Sequence, residues 1–117
     1  MSYDLRVAVK VEGCDKYADI IAPEYDSPTY NLSEMFRACM NWDYEQGEYY
    51  PAKDYLPIIV DGIAELMKNP KKYDKYNPSN GWGSRLSAIE SLESWVNCIH
   101  DTVEVTEIPL ECLYIRW

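Results

Sequence analysis

The chain has 117 residues with 20 acidic against 11 basic side chains, a formal net charge of −9, 11 tyrosines and four tryptophans. That length fits one domain able to bury roughly two-thirds of its unfolded surface, and the ordinary apolar fraction excludes intrinsic disorder. The charge argues against direct binding of nucleic acid or anionic lipid, because phosphate recognition needs neutralising cations. No run approaches the roughly 20 apolar residues of a membrane span.

Met1-Ser2-Tyr3-Asp4-Leu5-Arg6 alternates and carries an early acid, unlike a signal peptide. Tyr3, Leu5, Val7, Val9 and Val11 continue the alternation and predict a strand with one buried face. Glu12-Gly13-Cys14-Asp15 predicts a turn, and Tyr17 to Ala22 a returning strand ended by Pro23. Residues 23–30 then read as a connection. Asn31 with Glu34 resembles a capping box for a short helix bearing Leu32, Met35, Phe36 and Cys39 on its apolar side.

The segment Trp42-Asp43-Tyr44-Glu45-Gln46-Gly47-Glu48-Tyr49-Tyr50 follows, with three acids and no base. Its plainest reading is a solvated loop with one or two rings tucked inward. Its functional reading is a docking surface for a basic protein. Asp43, Glu45 and Glu48 would stand where phosphates sit, and Trp42, Tyr44, Tyr49 and Tyr50 would act as stacking and cation–π anchors.

Leu56, Ile59, Val60, Ile63, Leu66 and Met67 predict one apolar face of a second helix, with Asp54 as N-cap and Pro57 in the first turn. Asn69-Pro70 stops it and opens a single turn through Tyr73. A basic island follows, Lys68, Lys71, Lys72, Lys75 and Arg85, opposed only by Asp74. Ser84 is the expected cap of a third helix carrying Leu86, Ile89, Leu92, Trp95, Val96 and Ile99. Thr102 to Val105 and Leu110 to Trp117 read as extended. The expected class is α+β: a small, mainly antiparallel sheet, made of the N-terminal hairpin and a C-terminal strand, with about three helices on one face. Residues 1–117 form one domain.

Two other groups of residues bear on chemistry. Gly81-Trp82-Gly83-Ser84-Arg85 opens a helix and offers backbone N–H groups and a guanidinium to an anion, with Trp82 or Tyr30 stacking on a nucleotide base. It matches neither a P-loop nor a dinucleotide fingerprint, and its plainer reading is a tight loop with Trp82 in the core. Cys98, His100 and a distant Cys39 or Cys112 match no common zinc spacing, and the pairs Asp61/Glu65 and Glu90/Glu93 fall on polar helix faces. No metal, cofactor or catalytic residue is therefore expected. The scattered cysteines fit reduced thiols in a cytoplasm.

Met1-Ser2-Tyr3-Asp4, Thr29-Tyr30-Asn31 with Met35-Phe36, Gly62-Ile63 with Leu66, and Asn69-Pro70 through Tyr76-Asn77-Pro78-Ser79-Asn80-Gly81-Trp82-Gly83 resemble small uncharacterised proteins encoded by bacterial phages and prophages. The Asn-Pro-x-Asn-Gly-Trp-Gly segment is the distinctive part. The resemblance carries no activity and no site residues. It implies a context, namely an accessory gene of a mobile element acting inside a bacterial cell. The sequence thus leads to a non-enzymatic binder of a basic protein, for which a nucleic-acid-binding host defence effector is one candidate, as with some anti-CRISPR proteins. A nucleotide or anion binder and a self-associating phage component stand beside it, and the oligomeric state is left open.

Overall fold

The structure, a computed structural model, describes residues 3–20, 28, 30–40, 48–81 and 83–117. Among these, four strands form one antiparallel sheet: β1 (Arg6–Lys10), β2 (Tyr17–Ile20), β3 (Tyr50–Pro51) and β4 (Leu113–Arg116), in the order β2-β1-β4-β3. Helices α1 (Ser33–Met40), α2 (Ala52–Lys68), α3 (Pro70–Tyr73) and α4 (Arg85–Thr106) cover one face. The α+β expectation holds, with the N-terminal hairpin and the C-terminal strand both in the sheet.

The hairpin forms where the alternation placed it. Val7 pairs with Ile20 and Lys10 with Tyr17, and the Val11 N–H donates to the Lys16 carbonyl at 2.8 Å. Gly13 takes φ +83°, a conformation open to a residue without Cβ. Leu5 and Val7 are buried, whereas Val11 is exposed. Ala8 is also fully buried, so the second face of β1 is covered too, against the one-faced expectation. β2 covers Tyr17–Ile20; Ile21, Ala22 and Pro23 lie outside the described residues.

The first α-helix starts later than a cap at Asn31 implies. A 3-10 turn, Tyr30–Leu32, precedes α1, and the α-helix starts at Ser33, whose hydroxyl bonds the Tyr3 phenol. The expected apolar set survives that change: Leu32, Met35, Phe36 and Cys39 are buried, together with Met40.

α2 starts two residues before the assigned cap Asp54, with Pro51 at the N-cap, so Pro57 lies inside the helix. Its missing N–H removes the bond to the Lys53 carbonyl, and the exposed position of Pro57 leaves that carbonyl accessible to water. The buried face is Ala52, Leu56, Ile59, Gly62 and Leu66; Val60 and Met67, assigned to it from sequence, are 46% and 60% exposed. Gly62 is the close-approach point between α1 and α2, because a Cβ there would overlap Met40 Cγ.

Ser84 caps α4 as expected. Its hydroxyl accepts from the Ser87 N–H at 3.1 Å while Ser87 Oγ accepts from the Ser84 N–H at 2.6 Å. The helix then runs 22 residues to Thr106, straight through the segment read as extended. Thr102 and Val103 carry β propensity, but they continue the helical stripe of Cys98 and Ile99, and burial wins. The Thr102 and Thr106 hydroxyls bond the Cys98 and Thr102 carbonyls, both at 2.6 Å, which lets a threonine sit buried in a helix. Leu86, expected inside, is 62% exposed. After Pro109 a 3-10 turn, Leu110–Cys112, leads into β4, and Val7, Leu113 and Ile115 complete the core from the sheet.

Candidate functional site

Trp42, Asp43, Tyr44 and Glu45 lie outside the described residues. Glu48 is exposed, and beyond it the acidic-aromatic segment enters the sheet. There the period of two sends neighbouring tyrosines to opposite faces. Tyr50 pairs with Ile115 on the helix-covered face, stacks on Trp117 at 5.4 Å and meets Tyr55 edge-on at 4.9 Å. Trp117 in turn lies 6.3 Å from Trp95, which is fully buried. Tyr50 thus joins an internal aromatic cluster that holds β3 in place, and it is the ring tucked inward rather than an anchor for a partner.

Tyr49 goes the other way. It stacks on Tyr17 with centroids 4.3 Å apart and planes 7° from parallel, and Tyr17 meets Tyr114 edge-on at 5.0 Å. The Arg116 guanidinium lies 5.1 Å from the centre of the Tyr49 ring. Tyr49 Oη donates to Asp19 Oδ1 at 2.9 Å, and Arg6 reaches Asp19 Oδ2 at 3.4 Å. Burial, followed by the hydrogen bond to Asp19, pushes the Tyr49 phenol above its usual range. Register places Arg6, Ala8, Lys10, Tyr17, Asp19, Tyr114 and Arg116 on this one face. A tyrosine platform edged by arginines therefore lies over Ala8, which explains the burial of Ala8. Sequence reasoning had Tyr49 alone. The alternations Tyr17-x-Asp19 and Tyr114-x-Arg116 carry the signal for the rest, but only pairing brings them together.

A second acidic surface emerges from the uninterrupted length of α4. Glu90, Glu93, Asp101 and Glu104 project outward along about 21 Å of helix, with Glu107 and Glu111 beyond it. Between Arg85 and Arg116 there is no lysine or arginine. The last turn of the helix has no base, although the carbonyl end of a helix favours cations by about 0.3–1 kcal/mol each. Glu107 occupies the left-handed C-cap position at φ 59°, where glycine or asparagine is usual, and Val105 beside it is 77% exposed. Local rules are broken together at this helix end. The expected break at residue 102 had hidden the continuity of the stripe.

The anion-binding alternative meets donors that are already engaged. The Arg85 N–H donates to Asn77 Oδ1 at 2.8 Å, and the Ser87 N–H goes to the cap. The Arg85 guanidinium bonds Asp74 Oδ1 at 2.9 Å and the Leu66 carbonyl at 3.0 Å, so it fastens the end of α2 to the start of α4. Gly81 and Gly83 take positive φ, Tyr30 begins the 3-10 turn, and Trp82 lies outside the described residues. Lys72 and Lys75 extend over Tyr73 and Tyr76, both 5.2 Å from the ring centres.

A cleft of about 280 Å³ between α1, α2 and α3 contains Cys39, Asp61, Glu65, Lys72 and Tyr73. Glu65 Oε2 accepts from Tyr73 Oη at 3.0 Å and Asn69 Nδ2 at 2.9 Å, which occupies it as a base. Burial pushes the Cys39 thiol up to about 12 and also raises Cys98, so both are held as thiols rather than nucleophilic thiolates. Cys98 is buried while His100 is exposed, and among the described residues no group of three His, Cys, Asp or Glu is placed to hold a metal. No helix of the described residues is long and apolar enough to cross a membrane.

No family model, curated protein or solved structure matches the chain.

Proposed function

We propose that the chain is a non-enzymatic accessory protein of a phage or other mobile element that binds a basic protein surface. A nucleic-acid-binding defence effector of the bacterial host, met in the host cytoplasm, is the partner class this reading selects. The observation that carries it is the unopposed acidic stripe of α4, running from Glu90 to Glu107 without a compensating base. Carboxylates at a helix C-terminus repel the local dipole and one another, so folding alone does not favour them. A cationic groove would relieve that repulsion, and complementary charge speeds encounter more than it deepens affinity. Asp43, Glu45 and Glu48 add a second group of carboxylates beside the aromatic segment. The mobile-element context is supported by the resemblance over Asn77 to Gly83. The non-enzymatic reading is supported by the protonated state of the two buried thiols.

The test uses immobilised protein in a bacterial host lysate at low and high salt, with retained proteins identified by mass spectrometry. Alongside the native chain go two neutralised variants, Asp43→Asn/Glu45→Gln/Glu48→Gln and Glu93→Gln/Glu104→Gln/Glu107→Gln. A basic nucleic-acid-handling protein should be retained at low salt, weakened at high salt and associate about tenfold more slowly with at least one variant. A partner bound equally by all three proteins, or an empty bait, would sink the proposal.

A further inference from the structure

α2 presents an apolar stripe to solvent as well as to the core. About a third of a turn round from its buried residues lie Pro57, Val60, Ala64 and Met67, in line with the exposed Lys53 one turn earlier; Val60 and Met67 are 46% and 60% exposed, Pro57 is exposed and Ala64 half-buried. A helix at a protein surface ordinarily fills its solvent side with charged residues, whereas α2 leaves this stripe of it apolar. The stripe is symmetric about position 62, with intervals of three, four and three residues. Along one rim stand Asp54, Asp61 and Lys68, all exposed, seven residues apart.

We propose that this face pairs with the same face of a second copy, α2 against α2, antiparallel across a two-fold axis near residue 62. The symmetry of the stripe brings Pro57 against Met67 of the partner subunit and Val60 against Ala64 of the partner subunit. A two-fold axis in the interface keeps each rim beside its own counterpart. Asp54 therefore meets Lys68 of the partner subunit, and the reverse pair forms at the other end. The Asp54 and Lys68 rim pairs thus favour a second copy in this one orientation. A lipid surface is disfavoured by Asp54, Asp61 and the net charge of −9. Near the axis Asp61 approaches Asp61 of the partner subunit, a like-charge contact that weakens the pairing. A single helix of 17 residues, about 25 Å long, contributes less than the roughly 1,200–2,000 Å² of a standard interface, so the pairing is expected to be weak.

Sedimentation velocity between about 1 and 200 µM reads the proposal directly. The native chain is expected to pass from monomer to dimer across that range. Val60→Glu with Met67→Glu should remain monomeric throughout, with unchanged circular dichroism because both side chains are exposed. Asp54→Lys and Lys68→Asp should each weaken association about tenfold, and combining them should restore it to within about threefold of native. Asp61→Asn leaves the stripe intact and should tighten association several-fold. A native chain that is monomeric at the highest concentration overturns the proposal. So does a dimer that survives the paired glutamates in folded protein, or a charge swap without rescue.

Discussion

Tyr49 and Tyr50 are adjacent in sequence and end on opposite sides of the sheet. Tyr50, Tyr55, Trp95 and Trp117 form a cluster between sheet and helices, whereas Tyr17, Tyr49 and Tyr114 form a platform on the uncovered face. The inner rings are held by apolar surroundings on several elements. The outer rings are held by one another, by Arg116 and by a carboxylate. The same residue type therefore contributes packing on one face and adaptable, polar-edged contact on the other. Aromatic density in a sequence does not by itself mark a binding surface; the face it occupies does.

Truncations separate the two clusters by size of effect. Trp95→Ala should cost about 3–5 kcal/mol in urea unfolding, since a fully buried indole leaves a cavity that rigid neighbours cannot fill. Tyr50→Ala, from a half-buried position in the same cluster, should cost about 2 kcal/mol, and Tyr49→Ala about 1 kcal/mol. Equal losses at Tyr49 and Tyr50 would break the distinction. A smaller effect sharpens it. Because the Tyr49 phenol is raised above its ordinary value, the folded state keeps that proton at alkaline pH while the unfolded chain loses it. The stabilisation is complete below the ordinary tyrosine value and is lost as pH rises from there through the raised folded value. Ultraviolet titration should show late phenols, Tyr49 and Tyr73 among them, and only the Tyr49 part should move earlier in Asp19→Asn; an unchanged curve in that variant would remove Asp19 from the account. The smallest change is expected for Arg116→Gln, about 0.5 kcal/mol, because the cation–π contact is partly open to water. A loss above about 2 kcal/mol there would mean that the platform is a second core.

Where the sequence was misleading, the reasons are local ambiguity and missing partners. Thr102 and Val103 look like strand because β-branched residues favour it. The helix persists because they continue the buried stripe below Cys98 and Ile99. Val60 and Met67 match the helical period as well as Leu56 and Leu66 do, and the period alone does not say which part of so wide an apolar face meets the core. The acidic stripe of α4 was present as a run without bases, but an expected break at residue 102 divided it. For the candidate site, Glu48 and Tyr49 were legible, while Tyr17, Tyr114 and Arg116 were not, since they come together only through pairing.

By itself the sequence determined the β1–β2 hairpin, the apolar side of α1, that of α4 from Ile89 to Ile99, the Ser84 cap and the α+β class. Each of these is written in a period or a turn within a dozen residues, where local sterics and hydrogen bonding decide. Only the tertiary structure decided that β4 lies between β1 and β3, that Tyr49 and Tyr50 part company, and that α2 keeps one apolar face outward. Those outcomes depend on contacts between residues far apart in the chain, and burial against a distant surface outweighs local propensity wherever the two disagree.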